Sequence, residues 1–503
     1  MRTLTSLASA GLAVALLVGC TGSDPEPVPT QTTSSPSATD AATQDTSVTV
    51  SAWIGDAPVT ALVHPLEVNG STAVLTLDFT MDAGAPEDAA VSMGLMMNNA
   101  ETGTHLGGVR VLDLEAGTVW WPARDGSTVL SSRDGTTVVP GETTRAQVVF
   151  AAPGDAQSFD VMLPQLGLAT DVPVVSGGEA AAKELGVTAS TEYPSAPLEV
   201  FTAAYDEGSQ VPAEGDETTY TLASDVLFAT DEFTLTDTAA AVVDAAAQQI
   251  AEAGAGGEVA VVGHTDDRAS DEYNLELSRK RAQSVADRLA GTLGADFSLR
   301  TEGMGESQPT ASGTSEEARA ANRRVEIRFT AADLAAAISG AGSSALAPNP
   351  TGAVGSGSAT VRAMSVDGYE YDVRAVLVER RAGYLVGTLE VVPQEDRPIT
   401  TLLGPVPPGP SQARGFSEVL LQSSAFGVSL LGESSRFYPV DYVTRAGEDG
   451  EAAQRTVLAD RVLTEVSAGR PTTVTVVWPD TGEDSVDIDV DGVFRITDIP
   501  VQG

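Results

Sequence analysis

The sequence is poor in cysteine, histidine, aromatic residues and basic residues. The shortages of cysteine, histidine and basic residues each argue against a structural feature or a class of partner. Cys20 is the only cysteine in 503 residues, so no disulfide can form within the chain and folding must rest on a hydrophobic core. Only three histidines occur, dispersed at His64, His105 and His264, which leaves no zinc motif, and we expect no metal or cofactor. Lys and Arg total 28 against 70 Asp and Glu, for a net charge of −42. We expect no nucleic-acid partner, because phosphate binding needs clustered basic residues.

The first 20 residues have the features of an export signal. Met1-Arg2 gives a cationic start, and the apolar run that follows is shorter than the roughly 20 residues of a membrane-spanning helix. The ending Leu17-Val-Gly-Cys20 resembles the lipobox of bacterial lipoproteins, which implies that Cys20 becomes diacylated. Two acyl chains would anchor the protein stably to a membrane. The alternative is an incidental buried thiol.

Composition divides the rest of the chain into segments. Residues 21–46 consist almost wholly of Ser, Thr, Pro, Asp, Ala and Gln, which predicts a disordered stalk. Residues 177–217 and 332–357 are rich in small residues and Pro, which predicts linkers. Three blocks remain, at 47–176, 218–331 and 358–503. The richness in Ala, Gly, Asp and Val is associated with actinobacteria.

The first and third blocks share a texture of short alternating runs, such as Val48–Ile54 and Phe159–Leu163, separated by turn residues. This pattern predicts antiparallel β-sandwiches. A Thr-Asp-aliphatic-Pro-Val element begins at Thr170 and again at Thr497, in both cases 12 residues after a serine. The sequence therefore predicts an internal duplication. Both blocks resemble immunoglobulin-like domains.

The middle block has a different period. Apolar spacing predicts strands at 222–228, 258–263, 297–301 and 324–329, and helices at 236–253, 271–293 and 316–321. Strands that alternate with helices predict a two-layer α/β domain.

Several ordered motifs in this middle block are similar to the OmpA-like C-terminal domain family. They are Val226-Leu-Phe228, Gly263-His-Thr-Asp266, Tyr273-Asn274, Leu277-Ser278, Arg281-Ala282, Gly303-Met-Gly-Glu306 and Asn322-Arg-Arg-Val-Glu-Ile327. Each is weak alone, but their order and spacing are specific. The resemblance implies non-covalent binding of peptidoglycan, without enzymatic activity.

The resemblance also assigns roles to individual residues. Asp266 matches the aspartate that holds the ammonium of diaminopimelate in the stem peptide, and Arg281 matches the arginine that pairs with its carboxylate. A zwitterionic head suits one anionic and one cationic partner, and Arg can bind a carboxylate with two parallel hydrogen bonds. Asn274 and Arg323 match residues near the ligand. Thr265 and Asn322 are expected to be backbone organisers or polar contacts.

Two positions depart from the family pattern. Ala229 follows Phe228 where aspartate is common, and Asp231 could supply the missing contact. The turn after Asp266 lacks its usual glycine, and Arg268 could compete for the Asp266 carboxylate.

Simpler interpretations exist for the same residues. Asp266 could cap the following helix. Arg281 could belong to a solvated charged face together with Arg279 and Lys280. His264, at a strand end, is expected to pack or to form a hydrogen bond.

The sequence offers little support for a calcium loop or for a Ser/His/Asp triad. The run from Asp487 to Gly492 imitates the start of a calcium loop, but the alternating Val486, Ile488 and Val490 favour a strand. No Ser/His/Asp constellation can be located from the sequence.

The sequence thus predicts an exported, lipid-anchored envelope protein that holds peptidoglycan through its central α/β domain. In the alternative hypothesis the sandwiches bind an envelope protein partner, as an adhesion or interaction scaffold, and the central domain is degenerate.

Overall fold

The computed structural model describes most of the chain from residue 46 onward. The described residues are 46–98, 104–154, 156–205, 209–214, 217–254, 256–311, 313–332, 337–338, 346–365, 368–395, 397–398, 414, 425–445, 453–460 and 465–503. The predicted signal, Cys20 and nearly all of the predicted stalk lie outside them. Among the helices in this part of the chain, none is both long and apolar enough to cross a membrane.

The first module, residues 47–176, is built from short strands and one short helix. These are β1 (Val48–Ile54), β2 (Ala57–Val63), β3 (Leu66–Asn69), β4 (Thr72–Met81), β5 (Val91–Ser92), α1 (Met93–Met96), β6 (Arg110–Asp113), β7 (Thr118–Trp120), β8 (Arg124–Asp125), β9 (Thr128–Val129), β10 (Thr137–Val138), β11 (Thr143–Ala151), β12 (Ser158–Leu163) and β13 (Gly167–Ser176). In one group of strands, β1 pairs with β2, and β4 pairs with both β2 and β11. A second group pairs in the order β13-β12-β6-β7. Strand β3 joins the two groups, because it pairs antiparallel with β4 and parallel with β13.

Alternation of side chains along the strands creates the core of this module. In β2, Ala57, Val59, Ala61 and Val63 are buried and the residues between them are partly exposed, as expected for a strand with one face on the core. These side chains pack with apolar residues of β6, β12 and β13 in one cluster. The predicted short strands are therefore present, while the immunoglobulin-like sandwich stays a prediction.

The segment 177–217 corrects the predicted linker, because it forms a helix and three strands and begins a fourth. The elements from here to residue 331 are α2 (Glu179–Glu184), β14 (Ser195–Pro197), β15 (Glu199–Ala204), β16 (Ser209–Glu214), β17 (Glu217–Ala223), α3 (Ser224–Leu227), α4 (Asp237–Ala253), β18 (Gly257–His264), α5 (Asp271–Leu289), β19 (Phe297–Gly305), α6 (Glu316–Asn322) and β20 (Arg324–Thr330). The richness of this segment in small residues predicted a linker, but small residues such as Ala203 and Ala204 are buried in β15.

The second module contains the remaining strands. They are β21 (Ala353–Ser356), β22 (Val361–Met364), β23 (Glu370–Arg381), β24 (Tyr384–Pro393), β25 (Arg397–Pro398), β26 (Ser429–Leu431), β27 (Ser435–Phe437), β28 (Asp441–Arg445), β29 (Gln454–Val457), β30 (Glu465–Val466), β31 (Thr472–Pro479), β32 (Ser485–Val490) and β33 (Phe494–Pro500), with a 3-10 turn at Ala425–Gly427. One sheet has the order β22-β23-β24-β31, and the other runs β15-β27-β26-β32-β33-β21. The module thus begins at Ala353, inside the predicted linker 332–357. It also includes strand β15, which comes from residues that precede the central domain.

The two modules have matching local geometry. The hairpins β12–β13 and β32–β33 are both interrupted by a bulge at an aspartate, Asp160 in the first and Asp487 in the second. Later in each hairpin an aspartate with φ of 55° follows, Asp171 or Asp498. In each case the backbone N–H of the later aspartate donates a 2.9 Å hydrogen bond to the bulged carboxylate.

The central domain has the predicted α/β character. Its sheet has the order β19-β18-β20-β17, with β18 and β19 parallel and the other pairs antiparallel. Helices α4 and α5 pack against this sheet through Val243, Ile250, Val285 and Leu289. Strand β17 also pairs with β16, and β16 with β15, so the sheet continues into the second module.

One predicted strand of the central domain is wrong in its second half. Residues 222–228 were expected to be extended, but β17 ends at Ala223 and Ser224–Leu227 form the short helix α3. Ala223 pairs with Arg324, the first residue of β20, so the sheet offers no partner beyond it. The Ser224 N–H instead donates to the carbonyl of Arg323.

Candidate functional site

The candidate site lies where β18 ends and α5 begins. Two glycines allow the helix to lie directly on the sheet there. A Cβ at Gly263 would lie 2.1 Å from the Ser278 carbonyl oxygen, and one at Gly303 would lie 2.6 Å from the Ser278 Oγ. The glycines in the two motifs therefore have a packing role, which brings residues 265–281 next to the loop that follows α3.

Helix α5 begins at a serine cap. Ser270 is the N-cap, and its Oγ accepts a hydrogen bond from the N–H of Tyr273. Asp271 and Glu272 occupy the first turn, where negative charge favours the helix dipole. The simpler interpretation of Asp266 as the helix cap is therefore wrong.

Asp266 is held by an arginine that the sequence placed nearby. Its Oδ2 accepts a 2.7 Å hydrogen bond from Nη1 of Arg323, and its Oδ1 a 3.3 Å bond from the backbone N–H of Arg268. Arg323 also donates to both oxygens of Asp225 and to Glu316. The hydrogen bonds to Asp225, followed by those to Asp266 and Glu316, outweigh burial and raise the pKa of Arg323. Three carboxylates therefore surround one guanidinium.

Arg281 is buried, unlike its neighbours on α5. Its side chain lies over the ring of Phe228 at 5.3 Å, and its Nε donates to the Glu232 carbonyl at 3.0 Å. Burial lowers the pKa of Arg281, although nearby Asp225 and Asp231 oppose the shift, and an arginine remains charged in proteins. Arg279 and Lys280 are exposed, so Arg281 does not belong to a solvated charged face.

These side chains line one cavity of about 960 Å³. Asp266, Arg281, Asn274, Thr265 and Arg323, all predicted site residues, are among its walls. A volume of this size is at the upper end of the range for small-ligand sites.

Asn274 and Thr265 support the loop that carries Asp266. The amide of Asn274 donates to the Asp266 carbonyl at 3.1 Å and to Glu306 at 2.5 Å. The backbone N–H of Thr265 donates to the Gly305 carbonyl, and its buried Oγ1 has no hydrogen-bond partner in the described part of the chain. Both residues hold the backbone of this loop, and both also line the cavity.

Asn322 is a loop organiser and does not line the cavity. Its Oδ1 accepts hydrogen bonds from the N–H groups of Thr310 and Ala311, and its Nδ2 donates to the Ala311 carbonyl. Of the two roles expected for Asn322, the structure supports the first.

The two departures from the family pattern have different outcomes. Asp231, at φ 60°, lines the cavity near Ala229 and has no hydrogen bond or ion pair with another described residue. It is therefore placed to supply the polar contact that Ala229 lacks. Arg268 pairs through its side chain with Glu316 and contacts Asp266 only through its backbone, so it does not compete for the carboxylate.

His264 packs behind the site. Burial lowers its pKa, and its Nε2 lies 3.6 Å from Glu326. Burial opposes ionisation of Glu326, but contacts with His264, Arg324 and Arg328 keep its pKa below the usual range. His264 is thus a packed residue, as expected.

Sequence reasoning missed the partners that fix the site. Asp225, Glu316 and Glu306 lie 98, 7 and 32 residues from the side chains that they hold. Only Glu306 stood in a recognised motif. No spacing rule connects Asp225 to Arg323, whereas Glu316 lies two helical turns before Arg323, a spacing that places two residues on the same face of a helix.

The structure also brings together a serine, a histidine and an aspartate that the sequence did not reveal. In the first module the Ser47 Oγ lies 3.2 Å from Nδ1 of His64, whose Nε2 lies 2.8 Å from Asp78. Arg145 binds both oxygens of Asp78 and is the main reason that the pKa of Asp78 falls to about 2. Arg145 and His64 therefore share the Asp78 carboxylate, and the four side chains form a polar network on the sheet.

The calcium-like run of aspartates forms a strand, as predicted. Asp487 and Asp489 lie on β32, and Asp489 accepts from Arg495 and pairs with Arg436. In the described part of the chain, no group of three or more His, Cys, Asp and Glu side chains is arranged for a metal ion.

Comparison with known proteins assigns the central region. The OmpA family matches residues 227–323, so the chain contains an OmpA-like domain. Probable lipoprotein YiaD of Escherichia coli K12 is 45% identical over 73 residues, which cover 14% of this chain and 33% of that protein. Peptidoglycan-associated lipoprotein of Legionella pneumophila is 37% identical over 107 residues, 21% of this chain and 59% of that protein. The chain thus spans between a third and three fifths of the length of these two relatives.

Among solved structures, the cell wall anchor of the T6SS from Pseudomonas aeruginosa is 32% identical. The likeness covers 25% of this chain and 90% of that one, with a TM-score of 0.22. At this score the structural likeness carries no argument, and the assignment of the domain rests on the sequence matches.

Proposed function

We propose that the OmpA-like domain binds peptidoglycan non-covalently through the diaminopimelate of its stem peptide, without enzymatic activity. The proposal rests mainly on the environment of Arg281. The residue is 5% exposed and lines the cavity, yet among the described residues its guanidinium donates a hydrogen bond only from Nε. A buried cation with free donors favours an anionic ligand, and a carboxylate matches its planar fork.

The opposite charge in the cavity suits the other half of a zwitterion. Asp266, Asp225 and Glu316 share Arg323, and Arg268 adds a second guanidinium, so this group of five side chains carries one excess negative charge. An ammonium near Asp266 would neutralise the group. The name of the Legionella relative, a peptidoglycan-associated lipoprotein, supports peptidoglycan as the ligand.

The test is co-sedimentation of the full chain with purified sacculi. Replacing Arg281 by Met should weaken binding to diaminopimelate-type sacculi about 10- to 100-fold, the value of a lost charged hydrogen-bond pair. Arg279→Met is the matched control, because Arg279 is an exposed arginine on the same helix. Lysine-type sacculi, which lack the second carboxylate, should bind the wild type weakly. Equal retention of both variants would refute the site, and release of soluble fragments from the sacculi would refute the absence of enzymatic activity.

We further propose that Cys20 is lipidated and that the protein tethers a membrane to the cell wall in the envelope. The proposal rests on the lipobox-like Leu17-Val-Gly-Cys20 sequence. Labelling cells with an alkynyl fatty acid should modify the wild type and leave Cys20→Ala unmodified. Equal labelling of the two proteins would contradict it.

A further inference from the structure

The contact between the two modules uses an arginine. Arg381, at the end of β23, donates from Nε to Oδ2 of Asp160 at 3.0 Å and from Nη2 to Oδ1 at 3.1 Å. The same Nη2 donates to Asp171 at 3.2 Å. The hairpin β23–β24 of the second module thus places a guanidinium on the bulged aspartate pair of the first module.

The second module carries the same aspartate pair without an arginine. Asp487 occupies the bulge of β32, and its Oδ1 accepts the N–H of Asp498, as Asp160 accepts that of Asp171. The neighbouring strand is also in register, since Asp160 lies opposite Leu112 and Asp487 opposite Leu431. No arginine or lysine among the described residues pairs with Asp487 or Asp498. Oδ2 of Asp487 accepts no hydrogen bond from the described residues, whereas Oδ2 of Asp498 accepts one each from the hydroxyl groups of Ser356 and Thr497.

A further carboxylate lies close to Asp487. Burial, then the charges of Asp487 and Glu433, raise the pKa of Glu483, so both of these carboxylates are close enough to Glu483 to interact with it. Asp487 is partly exposed, whereas Asp160, which Arg381 covers, is 6% exposed. An uncompensated cluster of this kind gains most from a cation that reaches two carboxylates at once.

We propose that Asp487 and Asp498 form a docking site for an arginine on a β-hairpin of another protein. The precedent is in the same chain, where equivalent residues bind the arginine of a hairpin. Arginine is favoured over lysine because the first site uses the planar fork on both oxygens of one carboxylate and on a second aspartate. This inference does not depend on the proposed wall binding.

A second copy of this chain fits the site less well than a different protein. Arg381 is already engaged, and Arg380 is held by Asp480 and by the Glu483 carbonyl. The hairpin of the first module that corresponds to β23–β24 joins β3 to β4, and it carries Asn69, opposite Thr72, where Arg381 lies opposite Tyr384. That side chain cannot supply a positive charge.

The experiment uses a cyclised peptide that reproduces residues 378–387, the hairpin that docks in the first module. Isothermal titration with the full chain should give weak binding, with a Kd of about 1 mM, as expected for one anchoring side chain. Asp487→Asn should weaken binding about tenfold, and so should a peptide with lysine in place of Arg381. Asp491→Asn is the matched control, because it removes an exposed charge from the adjacent turn, and it should bind like wild type.

Two results would overturn the proposal. If the wild type and Asp487→Asn bind the peptide equally, the aspartate pair is not an arginine site. If sedimentation velocity shows a dimer of the full chain that Asp487→Asn abolishes, the occupant is a second copy and not another protein.

Discussion

Replacing Arg323 by Met should both destabilise the central domain and weaken its ligand site. The magnitude follows from the exposure of its partners. Asp225 and Glu316 are each 56% exposed, so their pairs with Arg323 should contribute about 0.2–1 kcal/mol each. Asp266 is 12% exposed, and its charged hydrogen bond should contribute about 1.5–3 kcal/mol. The expected loss in the free energy of unfolding is therefore about 2–5 kcal/mol.

Urea unfolding of the full chain would measure this loss. The transition of the central domain is recognised as the one that shifts when peptidoglycan fragments are added. The control is Arg319→Met. Arg319 forms an ion pair with a single residue, Asp267, which is more exposed than Asp266. Arg323→Met should also release the Asp266 side chain, so binding to sacculi should fall together with stability. If the two variants lose the same stability and bind equally, the view of Arg323 as the organiser of Asp266 is refuted.

Two further predictions concern packing and pH. Gly263→Ala should cost about 1–3 kcal/mol or more, because its Cβ would lie 2.1 Å from the Ser278 carbonyl oxygen, whereas Gly294→Ala, with no atom within 4 Å, should be tolerated in the same thermal-unfolding assay. Complete burial raises the pKa of Asp460 from 3.8 to about 7, so the native state retains a proton that the unfolded chain releases between these values. Stability should therefore fall by up to about 4 kcal/mol as the pH rises from about 4 to about 7, and denaturant unfolding of Asp460→Asn should show this slope removed; an unchanged slope would contradict the assignment.

Local patterns predicted the central domain well because its signals are local. Helices α4 and α6, capped by Thr236 and Ser315, begin within one residue of their predicted starts, and the buried strand β18 contains the predicted Gly263 near its end. Two of the motifs contribute one charged residue each, Asp266 and Arg281, and these two residues line the same cavity.

Contacts between distant residues explain what the sequence did not reveal. The extended pattern through Val226 was overridden because β20 ends its pairing opposite Ala223. The small residues of 177–217 suggested a linker, yet partners more than 200 residues away convert part of it into a sheet, as when Ala203 pairs with Arg436. The aspartate pairs of the modules were visible as a repeat, but only the position of Arg381 shows what one of them binds.

Strand β16 covers two strand edges that would otherwise be open to other chains. An unpaired strand edge offers free N–H and C=O groups to any other chain, and natural proteins cover such edges. Strand β16 covers the β17 edge of the central sheet and, on its other side, the edge of β15. A fragment cut at residue 218 would expose the first edge and remove β15 from the second module. Fragments intended for expression should therefore begin before residue 199 and retain the second module.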